Sequence, residues 1–311
     1  MTETPVRNST LTGIAFKVAS VIVFLAMAAL LKAAEGVPAG ELAFFRSFFA
    51  ILPVVVFLAW RGQLVEGVKT KHVRRHLARG LAGTGGMLFG FYALTLLPFA
   101  EATTLNYATP LIIVVISALF LDETVRLYRW SAVVLGLVGV IIISWPRLTL
   151  LTTGVDQQAA VGVGAAMLAC LFAAIAMVQV RKLVHTEKSA TIVFYFSLSS
   201  TVISLATLPL GWVMPSPLAL VYLVTAGICG GIAQILLTES YRHADMSVIA
   251  PFEYTSLVFS IGIGFFVFSD MPTWHVLVGG LIVVGSALFV IYRERQLGKT
   301  HPEKEVSTPQ G

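Results

Sequence analysis

The sequence predicts an all-α membrane protein of ten transmembrane helices, arranged as two inverted five-helix repeats. Three observations predict it. Hydrophobic residues make up 57% of the 311 positions and charged residues 12%, against about 45–50% and about 25% in soluble domains. Apolar stretches of about twenty residues, the length that crosses a bilayer as a helix, alternate with short polar connectors. Lys and Arg gather in every second connector.

The apolar stretches cover residues 11–32, 40–60, 77–97, 100–121, 128–146, 159–181, 190–210, 217–239, 247–269 and 274–292. In the first, Arg7 and Lys17 precede an apolar run as in a signal peptide, but the repeat described below requires this stretch as an uncleaved span. The third and eighth carry Gly86-x-x-x-Gly90 and Gly227-x-x-x-Gly231, small-residue faces that allow close helix approach. Midway along the fourth, Pro110 removes a backbone donor, which should bend the helix and free the Asn106 carbonyl. Cys170 and Cys229 fall inside the sixth and eighth and read as small core hydrophobes rather than a disulfide pair. The chain thus divides into a polar tail (1–10), a first repeat (11–146), a second repeat (159–292) and a disordered tail (293–311).

With the amino terminus inside, the cytoplasmic side receives 17 of the 21 Lys and Arg residues, Arg79 among them. The opposite side receives only Lys32 and Arg147, while Lys17 and Arg46 lie within spans. This obeys the positive-inside rule along the whole chain and places both termini in the cytoplasm. It also accounts for the net charge of +5 without nucleic acid, since no reading motif or aromatic interleaving accompanies the cations. His72 and His76 have metal-ligand spacing, but they stand among Lys69, Lys71, Arg74 and Arg75, so they read as a solvated basic face with no metal. No phosphate loop, metal cluster or catalytic triad is present, and no cofactor is implied.

The two halves resemble each other. Gly83-x-x-Gly86 corresponds to Gly227-x-x-Gly230, Tyr107 and Glu123 to Tyr254 and Asp270, and Trp130 to Trp274. The same relation pairs Asn106 with Glu253 and Arg46 with Tyr195. Each half has an odd number of spans, so the second must enter the bilayer inverted, an arrangement characteristic of transporters.

The first half carries the strings Tyr92-Ala-Leu, Ala102-Thr-Thr-Leu-Asn-Tyr-Ala-Thr-Pro110, Leu121-Asp-Glu123 and Gly136-Leu-Val-Gly139, and the second half carries Ala250-Pro-Phe-Glu-Tyr254, Asp270-Met-Pro272 and Arg293-Glu294. In these the chain resembles the EamA family of the drug/metabolite transporter superfamily, ten-helix bacterial carriers. The likeness covers nearly all of 11–292, with aspartate at 270 where the family more usually has glutamate. Glu41-Leu-Ala-Phe-Phe-Arg46 and Pro251-Phe-Glu-Tyr254 are similar to the branch containing S-adenosylmethionine and riboflavin carriers. The resemblance implies a bacterial inner-membrane protein with two partners, a small-molecule solute and the lipid bilayer, and leaves a homodimer open.

Charge inside a span costs about 2.5–3.5 kcal/mol on insertion scales, so each such residue needs water or a partner. Arg46 and Glu253 stand out, each roughly 9 Å into its span from opposite faces at 1.5 Å per residue. Depth matching sets Asn106 and Tyr107 level with Arg46, and Tyr195, Gln234 and Tyr254 level with Glu253. With Tyr92, these eight are the candidate solute-binding residues. Each also has a structural reading: Arg46 snorkelling with Glu41 or Glu101 as partner, Glu253 in a helix-packing bond, and the tyrosines in packing. Tyrosines that stack on a flat ring suit riboflavin uptake first, then S-adenosylmethionine uptake, then export of amino acids or drugs. An intramembrane enzyme would need a positioned acid/base pair that Arg46 and Glu253 do not form, and a non-transporting scaffold would show no solute flux.

Overall fold

The computed structural model describes residues 6–120, 127–153, 157–184, 186–243, 252–253 and 255–300. Every regular element among them is helical. The first half contains α1 (Val6–Ala33), α2 (Ala39–Trp60), the short α3 (Leu64–Val68), α4 (Val73–Leu96), α5 (Phe99–Leu105), α6 (Thr109–Phe120) and α7 (Leu127–Thr153). The second contains α8 (Gln157–Val184), α9 (Ser189–Leu205), α10 (Pro217–His243), α11 (Thr255–Phe268) and α12 (Trp274–Thr300). All ten apolar stretches contain helix. Among the described residues, four helices combine the length and apolar character needed to cross a bilayer, at Leu11–Ala33, Ala39–Trp60, Gln157–Val180 and Pro217–Ser240, and shorter apolar helices occur at Trp130–Ile143, Ser189–Leu205, Thr255–Phe268 and Trp274–Ser286.

Local chemistry explains the breaks. Pro38 and Pro98 stand extended ahead of α2 and α5, where a residue without an N–H leaves no donor to satisfy. Beyond α2, Gly62 adopts φ +64°, a left-handed conformation that suits a residue without Cβ. The fourth stretch is divided by a 3₁₀ turn, Asn106–Ala108, and Pro110 is the second residue of α6. This corrects the expectation of a mid-helix proline. In the first turn its missing N–H costs nothing, and the Asn106 carbonyl accepts the Thr109 N–H instead of being free.

Ties between connectors fix how the helices alternate. At the end where α1 runs into α2, Lys32 Nζ donates to the carbonyls of Leu94 (3.2 Å) and Leu97 (2.7 Å). At the same end Glu41 accepts the Val213 N–H at 3.1 Å and Asp270 accepts the Phe99 N–H at 3.2 Å. At the other end, where α2 runs into α4, Thr70 donates to Glu187 at 2.5 Å and Lys188 to Glu66 at 2.6 Å. That Lys188 contact holds the Glu66 carboxyl below its usual range.

Packing follows the repeat. The most extensive helix contacts, α4 with α8 and α1 with α10, convert into each other when the halves are exchanged, whereas α7 with α12 and α2 with α9 convert into themselves. Glycines permit the closest approaches: a Cβ built at Gly231 would lie 2.6 Å from the Ala50 carbonyl oxygen, and one at Gly227 2.7 Å from that of Phe45, both on α2. Cys170 and Cys229 are both free thiols. Apolar side chains also cover the outside, with Leu281 67% and Phe266 83% exposed, a surface that lipid rather than water would solvate.

Candidate functional site

Where α2, α4, α9 and α10 meet, two guanidiniums lie in the interior. Arg46 of α2 is 4% exposed and Arg79 of α4 is 7% exposed. Both face Phe196 of α9, their Cζ atoms 5.3 Å and 4.0 Å from the ring centroid. Arg46 packs over Gly230 of α10, where a Cβ would lie 3.1 Å from its Nε, and Arg79 packs over Gly83. Among the described residues, Nη1 of Arg46 and both Nε and Nη1 of Arg79 are buried without a hydrogen-bond acceptor. Each cation–π contact returns about 0.5–2 kcal/mol, whereas each unmade bond from a buried donor costs about 1–3 kcal/mol and more when charged. Among the described residues, then, the ring contacts only partly offset what burying these donors costs.

Residue correspondence shows where this cluster sits. Ala39 and Ser189 open α2 and α9 after caps of like conformation, Pro38 (φ −63°, ψ 149°) and Lys188 (φ −70°, ψ 145°). Burial then matches residue for residue from 41–50 to 191–200. In this register the mate of Arg46 is Phe196, not Tyr195, a shift of one residue from the correspondence read in the sequence. The mate of Arg79, by the shared starts of α4 and α10 at Val73 and Pro217, is Leu223, which is fully buried. A side chain that touches its own mate lies where the halves meet, so Arg46 stands at the junction of the two repeats.

The other sequence candidates lie elsewhere. Tyr195 donates its hydroxyl to the Val68 carbonyl at 2.7 Å and stacks on His76 with ring centroids 4.7 Å apart. Tyr107 is buried and bonds Ser256 on α11. Glu253 pairs with Lys17, whose side chain is 4% exposed against 51% for the carboxylate. Gln234 is half-buried on α10, one turn beyond Gly230, while Tyr92 and Asn106 are exposed. Tyr254 is outside the described residues. Glu41 is occupied by the Val213 N–H rather than by Arg46.

Two basic residues depart from their expected setting. Arg79, grouped with the cytoplasmic loop cations, is inside α4 and joins Arg46. His76, expected on a solvated basic face, is 3% exposed with Nε2 3.8 Å from Glu187, because α4 begins at Val73 and turns this residue against α9. The sequence signals are present but ambiguous: Arg79 falls inside the apolar stretch 77–97, and Phe196 is adjacent to the candidate Tyr195.

Paired helix exchange, a lipid-compatible exterior and a polar cluster buried at the repeat junction define a multi-pass membrane transporter architecture. The chain belongs to the EamA-like transporter family, whose profile matches residues 11–145 and again 160–292. It is 29% identical over 256 residues to an S-adenosylmethionine uptake transporter of Rickettsia felis, covering 82% of this chain and 84% of that one. It is 30% identical over 275 residues to a pseudopaline exporter of Pseudomonas aeruginosa (88% and 93% covered). A riboflavin transporter of Vibrio cholerae is 27% identical over 274 residues (88% of each). One crystal structure shares the fold with a TM-score of 0.65 at 21% identity, covering 93% of this chain and 99% of that one.

Proposed function

We propose that the chain is a secondary transporter which carries a small organic metabolite across the bacterial inner membrane by alternating access. It does so through ten spans in two inverted repeats, with both termini cytoplasmic. The observation that carries this reading is the contact of Arg46 with its own repeat mate Phe196. Inverted-repeat carriers bind solute near the midplane where the repeats meet, and a polar group costly to bury is concentrated there.

The surrounding ties supply a sequence of events. Lys17–Glu253 and Thr70–Glu187 close the α2–α4 end, and the Lys32–Leu97 and Phe99–Asp270 bonds close the other. Cavities of about 150 Å³, beside Arg61, Lys188 and Glu239, and about 90 Å³, beside Glu101 and Asp270, lie at these two ends. Solute arriving from either side meets one cavity first. Opening towards the arginines then parts one set of ties while the other holds.

S-adenosylmethionine stands ahead of riboflavin as cargo. Tyr107 and Tyr195, which would have stacked on a flavin ring, are engaged by Ser256 and by Val68 with His76, and the relatives named as S-adenosylmethionine uptake transporters reach 29% identity. Purified protein reconstituted into liposomes tests the reading with radiolabelled S-adenosylmethionine, riboflavin and amino acids. Saturable, counterflow-stimulated entry of one of them is expected. Flux no faster than in protein-free liposomes across the panel would contradict it.

A further inference from the structure

The buried cations at the repeat junction have no acidic partner among the described residues, and their surroundings indicate what fills that role. We propose that Arg46 and Arg79 form an oxyanion subsite that receives the carboxylate or phosphate group of an organic solute. This rests on the reading of the chain as a carrier and adds the charge class of its cargo.

Four observations support the subsite. Both side chains are more than nine-tenths buried, and three of their nitrogens are buried without an acceptor. Among the described residues both face the Phe196 ring, which attracts a cation but accepts no full hydrogen bond, so the donors remain available. The repeat mates, Phe196 and Leu223, are uncharged, so the fold itself does not demand a cation at either position. Gly83 and Gly230 make room for the two side chains, since a Cβ at either would crowd the arginine packed over it. Arginine is also the fitting residue type, because its planar donor array matches carboxylate and phosphate. Both Cζ atoms lie close to one ring centroid, at 5.3 Å and 4.0 Å, so a single oxyanion seated between the guanidiniums would neutralise like charges that otherwise repel.

The test uses the full chain in lipid nanodiscs and reads thermal stability and ligand binding at matched ionic strength. The probes are acetate, inorganic phosphate, S-adenosylmethionine and decarboxylated S-adenosylmethionine. Expected is stabilisation by at least one oxyanion probe, acetate and S-adenosylmethionine if carboxylate is the cargo group or phosphate if it is not. The decarboxylated compound should bind at least tenfold more weakly than its parent wherever the parent binds. Arg79→Leu, which installs the residue found at the mate position, should melt at the wild-type temperature or above and lose the oxyanion response by about tenfold or more. Arg79→Lys keeps the charge and should retain part of the response.

Three results would overturn the subsite: no oxyanion stabilising the wild type, an undiminished response in Arg79→Leu, or an unfolded Arg79→Leu beside a folded Arg79→Lys with no response. The parent reading fails separately. Arginine-dependent binding without any flux in liposomes would remove the transport reading and keep the subsite, whereas flux of an uncharged solute with no oxyanion response would do the reverse.

Discussion

Lys17 is nearly fully buried, and the carboxylate that neutralises it belongs to Glu253, 236 positions away. Removing one partner of a buried pair leaves an uncompensated charge and costs 3–5 kcal/mol when both are buried; with Glu253 half exposed, about 1–3 kcal/mol is the fitting scale. Glu253→Gln should therefore lower the melting temperature, and Lys17→Met in the same chain should recover most of the loss. A Glu253→Gln protein as stable as wild type would contradict the tie. The sequence marked both residues as charges inside or beside spans, because charge in lipid is expensive. It could not pair them, since depth along a helix carries no information about which face of which neighbour is opposite. The same limit explains Arg79: a run of cations from Lys69 to Arg75 suggests a solvated loop, and only the packing of α4 against α9 shows that the next arginine is turned inward.

Helices in this bundle approach each other as closely as their backbones allow. Gly227 and Gly231 put α10 against the carbonyls of Phe45 and Ala50, and backbone cannot yield as a side-chain tip can. Gly231→Val should cost about 1–3 kcal/mol by overpacking, read as a lower melting temperature and reduced folded yield. Gly164→Val, where a Cβ meets nothing within 4 Å, should be tolerated. Equal behaviour of the two variants would show that close approach at Gly231 is unimportant. Apolar length and glycine spacing made helix positions and sticky faces legible from sequence. Register within the repeat was less so: α2 and α9 share their burial pattern, but Phe45-Arg46 faces Tyr195-Phe196, and two adjacent aromatics let the correspondence slip by one. The break in the helix at Asn106–Ala108 likewise followed from where α6 starts, which a proline inside a long apolar run does not specify.

At the scale of the molecule, two repeats enclose a cationic junction that is buried from both ends. The orientation expected from the cation distribution is open to a direct check. A thiol introduced within 66–72, in a chain with Cys170 and Cys229 replaced by Ala, should react with a membrane-impermeant reagent only from the cytoplasmic side. Periplasmic labelling in intact cells would invert the topology. The central claim is that the junction opens alternately to the two sides. Ser200, fully buried on α9 one turn beyond Phe196 and bonded to Thr84 of α4 at 2.7 Å, is the place to read it. In proteoliposomes of known orientation, the thiol of Ser200→Cys in the same cysteine-free chain is to be challenged with impermeant reagent from outside or inside, with and without transported solute. Reactivity from both sides is expected, with solute shifting the balance between them. A thiol that reacts from one side only, or from neither under any solute condition, would contradict alternating access.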